Sequence, residues 1–284
     1  MNAKNILIPI DFSDEAMHGL ASGLKIARDI DAKITLFHAL PKAEADNFSP
    51  SADIQLRQEE AKENDHYMAE LIARKKSDLD KIIRKYGNEQ NQITGVIRIG
   101  DFEDTLKDYL NDHKADLIVM GTSGETSFWE WFSGNHAAVT MRIADVPVLI
   151  VKEETWIKKN GHLMLLTDMK AYKEENVTSI RDFAELMNMK VHLTHILQNK
   201  DATVENIQGL LEDFAKDYEF KNYTIEIISK GDLSQMVKSY VQKHDMDIIA
   251  SISEGNSGLI RLFFGSNTEK MINELDLPYL AVSE

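Results

Sequence analysis

The sequence predicts an α/β protein built as two tandem, doubly wound, parallel five-stranded sheets with helices on both faces. Three observations lead there. Short apolar runs alternate with amphipathic stretches, the pattern recurs in the same register in both halves, and glycine or polar residues close the apolar runs. A length of 284 residues is about twice the commonest domain size, in keeping with two units.

In the first half Ile6 to Ile10 is a continuous apolar run, as expected of a strand buried on both faces. Ser13 is placed to cap the next helix, and Asp14 and Glu15 suit the positive end of its dipole. Met17, Leu20, Ala21, Leu24, Ala27 and Ile30 then form one apolar stripe. Lys33 to His38 reads as a second strand. A turn-like stretch from Pro41 to Asp53 leads into a long helix over about 54–86. Its stripe runs through Met68, Leu71, Ile72, Lys75, Leu79, Ile82, Ile83 and Tyr86, and Gly87 stops it. Ile93 to Ile99 is the third strand, and Asp101 caps a helix carrying Phe102, Leu106, Tyr109 and Leu110. Leu117 to Met120 is the fourth strand, followed by a glycine-bearing loop, a helix from about Asn135 and a fifth strand, Val146 to Val151.

The second half repeats the first. Asn5 to Asp11 reads against Leu163 to Asp168, LFHAL around His38 against LTHIL around His195, and IRIGD (97–101) against ISKGD (228–232). ADLIVMGTSG, ending at Gly124, meets MDIIASISEG, ending at Gly255, and DVPVLIV meets DLPYLAV. From residue 94 onward the halves align without a gap, with about fifteen identities over 94–151. The expected division is 1–152 for the first unit, a polar linker 153–160, and 161–284 for the second. The extra length of the first unit lies between His38 and Ile93, where the long helix falls. The final strands, ending at Val151 and Val282, are expected to meet across a pseudo-twofold and form an internal pseudo-dimer.

Composition narrows the function. The formal charge is −15, which speaks against nucleic acid and anionic membranes as general partners, since both need a basic surface. There are no cysteines, so disulfides, thiolate metal sites and cysteine nucleophiles are excluded. The start lacks an apolar run behind a basic segment, and no stretch approaches 18 apolar residues, so a soluble cytoplasmic protein is expected.

In open parallel sheets ligands bind beyond the carboxyl ends of the strands, near the switch in strand order. That places Asp11, His38 to Leu40, Gly100–Asp101 and the loop after Met120 at the candidate site. Gly121, Gly124 and Gly134 let backbone approach a phosphate, and helix starts favour anions. In these residues the sequence resembles the universal stress proteins in their tandem form. The nucleotide-binding members of that family carry Gly-x2-Gly-x9-Gly-(Ser/Thr), which Gly121, Gly124 and Gly134 fit. Their first strand ends in an Asp that contacts adenine, matched by Asp11 and by Asp168. The resemblance covers essentially the whole chain. It implies a Rossmann-like, ATP- or AMP-binding module that serves as a stress-response sensor or regulator, with no metal beyond nucleotide-associated magnesium.

Each half departs from the pattern in its own way. In the first, Asn135 replaces the Ser/Thr, Glu125 sits beside the second glycine, and Phe128, Trp129, Trp131 and Phe132 crowd the nine-residue span. Those aromatics read as core or as a subunit contact in a homodimer of tandems, with Trp129 and Trp131 as candidates. In the second half Gly255, Gly265, Ser266 and Asn267 fit, with Arg261 and Lys270 nearby, but the first glycine has become Ile252. One competent site is expected, in either half.

The other candidates are weaker. His38 and His195 at equivalent strand ends either line a pocket or serve the structure. His192 and His195, three apart on a strand, point to opposite faces and do not make a metal pair. Asp101 and Asp232 follow glycines and precede helices, which N-capping explains. An ATP-cleaving enzyme on a similar sheet needs a glycine- and serine-rich loop after the first strand, and Phe12-Ser-Asp-Glu stands there instead. There is no Walker Gly-Lys-Ser/Thr and no dinucleotide fingerprint, so no committed enzyme is expected, slow ATP hydrolysis aside. The alternative is a scaffold that has lost nucleotide binding and acts through dimerisation and protein partners.

Overall fold

The computed structural model of the chain describes residues 5–41, 54–88, 92–122, 136–152, 157–169, 172–197, 203–228, 233–253, 275 and 277–283; those at 54–65, 233–234 and 253 are described by backbone alone. In the first half the order is β1 (Asn5–Pro9), α1 (Asp14–Ile30), β2 (Lys33–Leu40), α2 (Ile54–Tyr86), β3 (Ile93–Ile99), α3 (Phe102–Asp112), β4 (Leu117–Gly121), α4 (His136–Ile143) and β5 (Val148–Val151). The second half gives β6 (His162–Leu166), α5 (Glu174–Leu186), β7 (Lys190–Ile196), α6 (Val204–Asp217), β8 (Tyr223–Ile228), α7 (Leu233–His244), β9 (Ile248–Ser253) and β10 (Tyr279–Ser283).

Among the described residues ten strands form one sheet in the order β3-β2-β1-β4-β5-β10-β9-β6-β7-β8. Each half is parallel and doubly wound, with the switch in strand order between β1 and β4 in one and between β6 and β9 in the other. The final strands join the halves: β10 runs antiparallel to β5, with Tyr279 opposite Ile150 and Ala281 opposite Val148. Successive strand residues face opposite sides, so Ile6 and Ile8 enter one core and Leu7 the other. The first core lies under α1, α2, α5 and α6, the second under α3, α4 and α7, and each runs through both halves.

The local signals act as the sequence predicts. The Ser13 hydroxyl accepts from the Ala16 amide, and the Asp101 carboxylate from the Glu103 amide at 2.9 Å. Helix α2 ends at Tyr86, with the Gly87 amide bonded to the Ile83 carbonyl at 2.7 Å. The duplication extends to backbone detail. Phe12 and its counterpart Met169 both take positive φ, 71° and 60°, as do the paired helix ends Asp31 and Asn188. Asp116 accepts the Asn5 amide at 2.9 Å, and Asp247 accepts the His162 amide at 2.8 Å in the equivalent place. No helix among the described residues is long and apolar enough to cross a membrane.

Candidate functional site

A cavity of about 360 Å³ opens at the carboxyl ends of β1, β2 and β4, at the switch point of the first half. Asp11, His38 and Gly121 line it, together with Phe37, Phe102 and His136. Its size lies in the range of small-ligand pockets, which pair apolar walls with a few placed polar groups.

The β1–α1 turn positions Asp11. Its Oδ1 accepts the Ser13 amide at 2.9 Å and the Ser13 hydroxyl at 2.5 Å, so Ser13 both caps α1 and holds the carboxylate. Burial pushes the Asp11 carboxyl up, but the hydrogen bonds from Ser13, with nearby His136, outweigh it and hold the group below the usual carboxylate range. Asp11 therefore presents an ionised acceptor at neutral pH. His38 reaches across from β2 with Nδ1 2.7 Å from the Ile10 carbonyl. A carbonyl only accepts, so Nδ1 carries the proton. His195 repeats this contact with the Thr167 carbonyl at 2.9 Å. Both histidines thus tie the ends of neighbouring strands, and His38 also lines the cavity. The far wall is a face-to-face pair, Phe102 and His136, with centroids 4.1 Å apart and planes at 18°.

Gly121 has a reason the sequence reading did not give it. A Cβ there would collide with the Glu15 carbonyl, and one on Gly19 would stand 2.6 Å from the Gly121 amide. The pair lets α1 lie directly on the end of β4, which brings Ser13 and Glu15 to the cavity rim. Gly121 therefore serves helix-to-strand packing and leaves backbone on the cavity lining.

In the second half the counterpart carboxylate is engaged within the chain. Asp168 accepts a hydrogen bond from the Tyr172 hydroxyl, and Tyr172 is only 7% exposed. Burial, then the Asp168 carboxylate, push the Tyr172 hydroxyl well above the ordinary tyrosine range, so it stays a donor. The Tyr218 hydroxyl in turn donates to the Tyr172 carbonyl at 3.1 Å. Ile252, where the first half has Gly121, is 2% exposed in the core. Helix α5 accommodates it by starting at Glu174, three residues later than α1 does in the repeat, with Asn176 in place of Gly19.

Of the residues expected at the site, the cavity brings Asp11 and Gly121 together, while Asp168 lies in the other half. Gly124, Gly134, Asn135, Gly255, Gly265, Ser266 and Asn267 lie outside the described residues, as do Glu125, Phe128, Trp129, Trp131, Phe132, Asp232, Arg261 and Lys270. Among the described residues no group of three or more His, Asp or Glu side chains is arranged to hold a metal ion.

The model of the universal stress protein family matches residues 2–152. The chain belongs to the universal stress protein family. A universal stress protein of Methanocaldococcus jannaschii is 26% identical over 151 residues, covering 53% of this chain and 82% of that one. Among solved structures, a universal stress protein from Archaeoglobus fulgidus matches with a TM-score of 0.72 at 16% identity, over 100% of this chain and 99% of that one. A protein of unknown function from Pseudomonas aeruginosa matches at 0.56 and 16% identity, over 99% and 92%. At these identities the structural likeness speaks for the universal stress protein fold along the whole chain.

Proposed function

We propose that this universal stress protein binds one adenine nucleotide, ATP or AMP, in the cavity of its first half and acts as a stress-response sensor or regulator rather than as a committed catalyst. The observation that carries the reading is the cavity at the β1/β4 switch point with the Asp11 carboxylate on its rim. A carboxylate held ionised by Ser13 is an acceptor for the exocyclic amino group of adenine, and the aromatic walls at Phe37, Phe102 and His136 suit a flat base. The backbone at Gly121 leads into the glycine loop, where the sequence pattern places the phosphates. The second half supports a count of one, because its counterpart carboxylate, Asp168, already accepts the Tyr172 hydroxyl and Ile252 replaces the first glycine of the pattern.

The test is to denature the purified full chain, identify released nucleotide by mass, and titrate ATP and AMP calorimetrically. One equivalent is expected, with affinity reduced roughly 10- to 100-fold in Asp11→Ala, as for loss of a hydrogen bond to a charged group. Two equivalents would overturn the assignment to a single half. Neither released nucleotide nor heat at millimolar ligand would leave the scaffold acting through protein partners.

A further inference from the structure

Three histidines meet at the amino ends of β6 and β7, at the opposite end of the strands from the switch point. His162 Nδ1 lies 2.8 Å from His192 Nε2, and His192 Nδ1 lies 2.7 Å from the Tyr240 hydroxyl and 3.2 Å from that of Thr224. His244, one turn beyond Tyr240 at the end of α7, tilts against both rings, with centroids 5.4 Å from His192 and 4.3 Å from Tyr240. His192 is 1% exposed. The last turn of α7 is thus held to β6, β7 and β8 through one buried imidazole.

The first half supplies an internal control. Its counterpart helix α3 keeps the pair, Tyr109 stacked on His113 with centroids 4.3 Å apart. On the strands, however, Asn5 and Thr35 stand where the second half has His162 and His192, and Thr94 pairs with Thr35 as Thr224 pairs with His192. Thr35 faces Thr94, hydroxyl to hydroxyl at 3.4 Å. The fold therefore builds this corner without strand histidines, and their presence in the second half calls for another reason.

Proton arithmetic supplies one. A charge on His192, 1% exposed, needs the Tyr240 or Thr224 hydroxyl to turn and accept from Nδ1. The contact between His162 and His192 holds only one proton, so charging both rings sets two N–H groups head to head at 2.8 Å. The surroundings do little to offset that. Lys190 lies on β7 and Lys243 on α7, beside His192 and Glu226 respectively. Burial pushes the Glu226 carboxyl up, which weakens it as a counter-charge in acid, although His244 and Lys243 oppose the shift. Asp245 and Asp247 are engaged by Lys158, at 2.8 and 3.8 Å, and Asp247 also holds the His162 amide.

We propose that His162, His192, Tyr240 and His244 form a proton-operated latch: neutral, the cluster ties the last turn of α7 to the sheet, and protonation releases it. The charge change belongs to the cluster as a unit. It makes the second half acid-sensitive at a corner where the first half is not.

Hydrogen exchange on the full chain, read by mass spectrometry and corrected for intrinsic rates, tests this between pH 7 and pH 5. The opening constant of the last turn of α7 is expected to rise about 20-fold, the change for an imidazole at 6.5 when open and near 4 when closed. The matching turn of α3 should not follow. His192→Thr and His162→Asn install the first half's residues; the first should abolish the rise and the second should reduce it, since burial still disfavours a charge on His192. Equal responses in α3 and α7, or a response that survives both substitutions, would overturn the latch. Should either variant fail to fold, imidazole NMR titration of the unaltered chain decides: His192 should take up its proton only as α7 loses protection. Three independent titrations with α7 protection unchanged would refute it.

Discussion

At the carboxyl end of β1 a carboxylate, Asp11, is held by a serine at the rim of an open cavity; at the same place on β6, Asp168 accepts the hydroxyl of a buried tyrosine. The two ends share a backbone, down to the positive φ at Phe12 and Met169 and the histidine tie to the preceding strand. What differs is how closely the first helix sits on the sheet. Gly19 and Gly121 bring α1 onto β4, whereas Asn176 and Ile252 go with a helix that starts later and a turn filled by Tyr172. One close helix–strand contact thus goes with a carboxylate at a cavity in one half and a carboxylate engaged by a tyrosine in the other. The opposite ends of the strands reverse the contrast, since the second half has histidines on its strands there and the first has threonine and asparagine.

Exchanging the residues at that contact should give the largest effect. Gly121→Ile sets a branched side chain against the Glu15 carbonyl, where backbone has to move, and should cost about 3 kcal/mol or more in urea unfolding. The reciprocal Ile252→Gly empties a buried site and should cost about 2–5 kcal/mol. If Gly121→Ile unfolds like the parent and still binds nucleotide, the contact does not set the difference between the halves.

The acid limb of stability comes next. His192 titrates near 4 in the folded chain, because burial and then His162, His244 and Lys190 disfavour its charge, against an ordinary value of 6.5. Above pH 6.5 neither state holds the proton. Between 6.5 and about 4 the unfolded chain binds a proton that the folded chain refuses, so stability falls by about 1.4 kcal/mol per pH unit, roughly 3 kcal/mol in all. Below that both states are protonated and the term is constant. In His192→Thr the same limb should be flatter by that amount; an unchanged limb would place the acid sensitivity elsewhere.

Much of this was legible in sequence, and the boundary is physical. Strand–helix alternation, the repeat and the end of α2 come from local patterns: apolar runs of strand length, a 3.6-residue period, and Gly87 at the stop. Asp11 and Gly121 could be placed because strand order fixes where ligands approach. Phe102 and His136 could not, since they sit on separate helices and only the packing of α3 beside α4 stacks them. Phe102 read as one more apolar residue in a stripe. Tyr172 stands just before α5, where the sequence offers no sign that it folds back onto Asp168. The histidines of the second half come from β6, β7 and α7, and strand alternation says only that His192 faces away from His195. Gly121 was read for a ligand's benefit, whereas its near neighbour is the backbone of α1.

Smaller effects probe the engaged carboxylate of the second half. Tyr172→Phe removes the hydroxyl that Asp168 accepts and should cost about 1–2 kcal/mol. It should leave nucleotide stoichiometry at one, because Ile252 still replaces the first glycine of the pattern. A second equivalent bound by this variant would mean that the hydroxyl on Asp168, and not Ile252, keeps the second half from binding.

The smallest effects lie at the helix starts that flank the two ends. Ser13 caps α1, while Lys173 occupies the cap position of α5 with extended backbone, φ −58° and ψ 134°, and makes no side-chain cap. Ser13→Ala should cost about 1 kcal/mol at neutral pH. Part of that loss is linked to Asp11. Its folded value is depressed, so its contribution is present above the ordinary carboxylate range and is lost as pH falls through it. The gap between parent and Ser13→Ala should therefore narrow in acid without closing, since the cap on the Ala16 amide does not titrate. Lys173→Ser adds the missing acceptor at the start of α5 and should raise stability by about 0.5–1 kcal/mol at any pH. A gain there that depended on pH would show that the Lys173 charge, next to Glu174 and Glu175, had been holding the helix start in place of a cap.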